Sequence, residues 1–364
     1  HRLEDVLHRA VDRVIVINEG RIIADMNAHE LVSSNVLTSN GIREPLYVTA
    51  LKYAGVQVTP EMKPGYIWSL DTSGVNESLR RWNRSVVTPP PAPPGPALLT
   101  IDHLSFSYDG VRQTLEEIDF TITEGEMVSI VGKNGAGKST LAKLMCGFEK
   151  VDKGAILYKG EDIRHKSIKE RAEFIGFVMQ NPNQMISKNL IFDEIALGLR
   201  LRGVAEEEIK ERVEQVLEVC GLAPFIDWPI SALSYGQKKR VTIASILILR
   251  PNILILDEPT AGQDYRHYSE IMEFLRQINE TGISIILITH DMHLMLEYTP
   301  RAIVLSEGRL ITDAPASVVL TTQQVIEQAN LKETSLYRLA QLAGIEDGTQ
   351  FVQHFIDHEK VAAR

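Results

Sequence analysis

The chain has 364 residues, 44% hydrophobic and 24% charged, an ordinary globular balance able to bury a sizeable core. Its formal net charge of -10 gives no support to a nucleic-acid partner, and none is expected; its 2 cysteines, Cys146 and Cys220, have no CxxC spacing and argue against a disulfide scaffold or a zinc ribbon. No apolar run approaches the roughly 20 residues needed to span a bilayer, so any membrane role must come through a partner.

In chain order, residues 1–87 open inside what reads as a folded domain. His1 to Asp25 runs as His, amphipathic helix, apolar strand at Val14–Ile17, Glu-Gly-Arg turn, second short strand and Asp. With a one-residue gap, His290 to Asp313 repeats that order, its strand at Ile303–Leu305. A looser echo pairs Pro45-Leu46-Tyr47 and Ala54-Gly55 with Ser335-Leu336-Tyr337 and Ala343-Gly344. The repeat predicts that residues 1–87 are the C-terminal remnant of a first domain copy, and the chain a fragment. Thr88–Pro96 (TPPPAPPGP) reads as a semi-rigid linker, because proline fixes φ and removes donors. A complete second copy is expected over 97–320, with a helical extension at 321–364.

Within 97–313 strands and helices alternate as in an α/β domain, with apolar strands at Met127–Val131, Ile253–Leu256, Ser284–Ile288 and Ala302–Leu305. Such continuous apolar runs suit a parallel sheet covered on both faces. Directly after the first strand, Gly132–Ser139 reads GKNGAGKS, a full G-x-x-x-x-G-K-[ST] phosphate loop opening a helix at Thr140–Cys146. Gly132, Asn134, Gly135 and Gly137 let successive N–H groups face phosphate oxygens, and the helix N-terminus ahead of Thr140 adds partial positive charge. Lys138 supplies a cation for the β/γ-phosphates and the Ser139 hydroxyl is placed for Mg²⁺. Further on, Glu206–Cys220 places Ile209, Val213, Val216, Leu217 and Cys220 at helical spacing. Asp257-Glu258 closes the buried run Ile253–Leu256, where two carboxylates are costly unless they serve a site. Asp257 is the expected Mg²⁺ holder and Glu258 the group that polarises the attacking water.

Over residues 98–313 these motifs resemble the ATP-binding cassette (ABC) ATPases. The resemblance implies an α/β P-loop NTPase fold of the ABC type with a helical signature subdomain, binding ATP and Mg²⁺. Leu233-Ser234-Tyr235-Gly236-Gln237 is similar to the family signature loop, so Ser234, Gly236 and Gln237 would contact nucleotide. Gln180 is similar to the γ-phosphate-sensing glutamine that also approaches the metal, Asp264 to the residue of the loop exchanged between partner domains, His290 to the switch histidine and Tyr108 to the adenine-stacking aromatic. Tyr235 replaces a glycine of the common LSGGQ form, and Gln263 stands where many relatives have Leu.

The stretch Gln180–Gln184 followed by Phe192–Leu199 resembles energy-coupling-factor importers of vitamins and metals, and the tandem form with Tyr235 is similar to the fused ATPase of a hydroxymethylpyrimidine/thiamine importer. That implies integral-membrane coupling and substrate-binding subunits as partners, a place on the cytoplasmic face of the membrane, and a second ABC domain, in the intact chain or by homodimerisation, that completes each ATP site. His1 would be the switch histidine of the first copy. The main alternative is a soluble tandem ABC ATPase acting on the ribosome, against which the acidic charge and the importer-like segment stand. A chromosome-type ATPase would need a long coiled coil between Ser139 and Asp257, and a nonhydrolytic regulator would not need Glu258 and His290.

Overall fold

A computed structural model describes residues 3–7, 9–18, 20–90, 93, 95–261, 263 and 265–362. Its strands are β1 (Val14–Asn18), β2 (Arg21–Met26), β3 (Ala97–Phe106), β4 (Leu115–Thr123), β5 (Met127–Val131), β6 (Lys153–Tyr158), β7 (Glu161–Asp162), β8 (Ile175–Val178), β9 (Ile253–Asp257), β10 (Ser284–Thr289), β11 (Arg301–Ser306) and β12 (Arg309–Pro315). A six-stranded sheet runs β12-β11-β5-β10-β9-β8, parallel except for the terminal β11–β12 hairpin. β5 and β10 are buried at every position, which is why their apolar runs show no alternation. A four-stranded antiparallel sheet, β4-β3-β6-β7, covers one side, and Leu99, Ile101, Leu104 and Ile118 of that sheet pack with Val128, Ile130 and Leu141. The helices Ile191–Arg200, Glu206–Val219 and Tyr235–Leu247 form a second core against β9 and β10.

The N-terminal β1–β2 hairpin is a structural copy of β11–β12. Both pair antiparallel with the register slipping at the same place, between Val16 and Ile17 and between Val304 and Leu305. Both are closed by an arginine gripping an aspartate with two nitrogens, Arg13 with Asp25 and Arg301 with Asp313. In each copy a short helix follows (Ala28–Ser33 and Ala316–Val319), and later a longer one (Leu46–Tyr53 and Ser335–Leu342). Asn27 starts the first of these by accepting a bond from the Glu30 N–H at 2.9 Å.

The copies differ in what covers them. Ile303 and Leu305 are completely buried in the core shared with the antiparallel sheet, whereas their counterparts Ile15 and Ile17 are 48% and 67% exposed. The N-terminal part and the C-terminal helices nonetheless share one core. Leu31, Tyr47, Leu51 and Leu79 pack with Leu336, Leu339, Phe351 and Phe355 in a single buried cluster. Arg80 donates to the Ala343 carbonyl at 2.9 Å, and the Tyr53 hydroxyl bonds Glu359. The proline-rich stretch at 88–96 therefore joins two parts that lie against each other.

Candidate active site

After Val131 the chain turns through Gly132–Gly137 into the helix Lys138–Cys146. Gly132 has φ 149°, and a Cβ there would sit 2.1 Å from the Leu305 carbonyl oxygen, so the loop is pressed against β11. The Glu307-Gly308-Arg309 turn holds it from outside. The Gly308 N–H donates to the Ala136 carbonyl at 3.2 Å, and Glu307 pairs with Lys133 at 2.8 Å. Lys138 is buried and folds back over the loop, its Nζ donating to the carbonyls of Gly132 at 2.7 Å and Lys133 at 3.1 Å. Burial lowers its pKa, opposed by the charges of Glu258 and Asp257. Neutral carbonyls are weak partners for an ammonium, and phosphate oxygens can replace them.

The sheet register delivers the acids. Asp257 ends β9 and is paired with Ile288 of β10, so the two strand ends lie together beside the phosphate loop. The Ser139 hydroxyl donates to Asp257 Oδ2 at 3.2 Å. Burial pushes the Asp257 pKa up, with the Ser139 bond acting against it. Glu258 follows in a left-handed conformation (φ 45°), its N–H donating to the Ile288 carbonyl at 2.9 Å. That turn brings Glu258 Oε1 to 2.6 Å from Nδ1 of His290, just past β10. A hydroxyl and a half-buried carboxylate in direct contact, next to an amide-rich loop and a lysine, are the oxygen-donor set that fits Mg²⁺ beside a triphosphate.

Asn134, Gly135, Gly137, Lys138, Ser139, Thr140, Gln180, Asp257, Glu258 and His290 all face one cleft of about 490 Å³. Tyr108 stands 55% exposed at its rim, edge-on to Phe106, with its hydroxyl 3.4 Å from Thr140 Oγ1. Ser234, Gly236 and Gln237 line a different cleft of about 570 Å³ with Arg240, His267 and Glu270. There Ser234 caps its own helix: its hydroxyl accepts from the Gln237 N–H at 3.2 Å, while Gln237 Oε1 accepts from the Ser234 N–H at 2.9 Å. His1 and Asp264, with Glu19 and Gly262, lie outside the described residues. Sequence reasoning did not single out Thr114, which lines the same cleft as Lys138 and Ser139, or Glu307, which pairs with Lys133, although the repeated Glu-Gly-Arg turn was a signal for the latter. It also missed Lys239, one turn into the signature helix, where the polar run Gln237–Arg240 carries no local sign of burial.

A family profile described as ABC transporter matches residues 115–261, which hold the phosphate loop, the signature helix and the acid pair. One described as an ATP-binding cassette cobalt transporter matches residues 34–106, and an AAA domain profile overlaps residues 226–297. The solved structure of cbiO1 from Clostridium perfringens, described as part of the ABC transporter complex cbiONQ, is 36% identical and aligns with a TM-score of 0.59 over 64% of this chain and 94% of that one. The chain belongs to the ATP-binding cassette ATPases. The MJ1267 cassette in its ADP conformation, 24% identical with a TM-score of 0.58, shares the fold of this ABC chain. Relatives named as ABC transporter ATP-binding proteins include one of Clostridium perfringens, 57% identical over 100% of this chain and 64% of its own length. Another, of Photobacterium profundum, is 51% identical over 99% of this chain and 64% of its own length. The ABC chain thus spans about 64% of the length of the curated relatives it matches. Among its described residues no helix is long and apolar enough to cross a membrane.

Proposed function

We propose that this chain binds and hydrolyses Mg–ATP as part of a tandem ABC protein that drives uptake of a small nutrient through membrane subunits at the cytoplasmic face. The observation that carries the reading is the convergence of Lys138, Ser139, Asp257, Glu258 and His290 on one cleft. In it the loop amides and Lys138 hold the β- and γ-phosphates. Ser139, Asp257 and Gln180 would hold Mg²⁺, which would supply positive charge to offset that on the transferring phosphoryl group. Glu258 orients water for in-line attack on the γ-phosphorus and takes up its proton, and ADP leaves with the bridging oxygen. His290, in contact with Glu258, holds that carboxylate toward the water and faces the γ-phosphate. Tyr108 at the rim stacks on adenine.

The tandem reading rests on the copied hairpins, with their matching bulges and Arg–Asp clasps. Residues 1–87 are then the C-terminal part of a first ABC domain, whose phosphate-loop strand would pair alongside β1 as β5 pairs alongside β11, and whose core would cover the exposed Ile15 and Ile17. Ser234, Gly236 and Gln237, facing a cleft of their own, are then the signature offered to the nucleotide of that first domain. Gln180 and the helix Ile191–Arg200 carry force to an energy-coupling-factor-type membrane subunit. The cargo is a vitamin such as hydroxymethylpyrimidine/thiamine on the tandem likeness, or cobalt on the described role of the profile over residues 34–106. Phosphate release by the full tandem protein, lost in Glu258→Gln, tests the chemistry. Nucleotide-dependent uptake of labelled hydroxymethylpyrimidine against labelled cobalt, with the co-purifying membrane subunits reconstituted, tests the cargo. Absence of both uptakes removes these two cargoes, and failure of membrane subunits to co-purify with the full tandem protein removes the importer reading.

A further inference from the structure

The helix Tyr235–Leu247 begins at Ser234 and runs back into the body of the domain. One turn in, Lys239 is 1% exposed, and its Nζ donates to the carbonyl oxygens of Met179 at 2.8 Å and Gln180 at 2.9 Å. Tyr235, four residues earlier on the same helix face, donates its hydroxyl to that same Gln180 oxygen at 3.2 Å. Two side chains of the signature helix thus converge on one backbone atom of the residue whose amide lines the phosphate cleft.

A buried ammonium costs free energy unless it is well partnered, and a methionine of similar length would fill the space without that cost. What the lysine adds is a grip on two carbonyls in a segment that enters a short 3₁₀ turn at Pro182–Gln184 and has no strand partner of its own beyond Val178. Burial pushes its pKa down to about 8 against the opposing pull of Asp257 and Glu258, so the ammonium also lies within the field of the acid pair.

We propose that Lys239 and Tyr235 are positioning residues that latch the Gln180 backbone to the signature helix, so that engagement of Ser234–Gln237 by a second nucleotide sets the Gln180 amide in this chain's own phosphate cleft. The inference rests on the Mg–ATP reading above and adds a mechanical link between the two nucleotide surfaces. A helix moves as a rigid body, and a shift at its first turn passes through two short side-chain bonds to Gln180 instead of being absorbed by loop motion. Neither side chain lines the cleft of Ser234 or that of Lys138, so both act through Gln180.

The test is steady-state ATP hydrolysis by the full-length protein, comparing parent, Lys239→Met, Lys239→Arg, Tyr235→Phe and Gln180→Ala with the double variants. Lys239→Met is expected to lower kcat about tenfold with KM within about threefold of the parent, and Lys239→Arg to restore most of it. Tyr235→Phe should move kcat in the same direction by about threefold. In the Gln180→Ala background both substitutions should be silent, since the residue they position is gone. Full multiplication of the Lys239→Met and Gln180→Ala effects, or parent kcat in Lys239→Met, would overturn the latch. Should Lys239→Met fail to fold, the partly exposed Tyr235→Phe carries the same cycle. A parent protein that binds no Mg–ATP overturns the cassette reading itself, and that outcome is seen before any variant is made.

Discussion

Replacing Lys138 with alanine separates what the lysine does for the fold from what it does for the ligand. Among the described residues its Nζ bonds the Gly132 and Lys133 carbonyls, at 2.7 Å and 3.1 Å, and the lysine itself lines a cleft of about 490 Å³. Water entering the cleft can take over both bonds, and the desolvated charge is removed with them. The folded protein should therefore keep its thermal midpoint within a few degrees. The ligand loses more. A cation about 4 Å from a phosphate oxygen, at an effective dielectric constant near 20, is worth about 4 kcal/mol, or roughly a thousandfold in affinity. Titration with a fluorescent ATP analogue, beside a melting curve of the same sample, reads both quantities. A folded Lys138→Ala protein that binds ATP within threefold of the parent would refute the assignment of the loop as the phosphate site.

Glu258→Gln keeps the shape and the His290 contact but loses the carboxylate, so nucleotide binding should persist while phosphate release by the tandem protein falls by about 100-fold or more. Release at the parent rate would mean that another base acts. Gly132→Ala places a methyl 2.1 Å from the Leu305 carbonyl oxygen at a φ of 149°, and should cost about 2–4 kcal/mol in urea unfolding together with loss of ATP binding. The two hairpin clasps should respond differently. Arg301 also bonds Glu126 and the Thr121 carbonyl in a half-buried setting, so Arg301→Ala should cost about 3 kcal/mol, whereas exposed Arg13→Ala should leave the unfolding midpoint where it was.

The phosphate loop, the acid pair and the strand that precedes each were legible because their chemistry is local. GKNGAGKS works through consecutive backbone amides, and a buried strand ending in two acids declares its cost within six residues. The repeat was legible too, since a hairpin turn and its closing aspartate recur at fixed spacing. The extent of the elements followed from apolar periodicity, with small differences at the ends: the helix after the loop begins at Lys138, and β10 extends to Thr289.

Other properties depend on partners distant along the chain. Proline density at 88–96 reports local stiffness, and only the three-dimensional packing put Tyr47 and Leu51 in the same core as Phe351 and Phe355. Whether a hairpin isoleucine is buried or bare is decided by what packs on its face of the sheet: Ile303 lies in a core with Ile122, Ile130 and Leu141, whereas the equivalent Ile15 is exposed. The burial of Lys239 could not be read from its polar neighbours, because its partners are the carbonyls of residues 179 and 180, sixty positions away. Backbone geometry that a short segment imposes on itself is written in that segment. Desolvation and charge pairing depend on which segments the fold brings together, and for this chain the tertiary structure alone decided them.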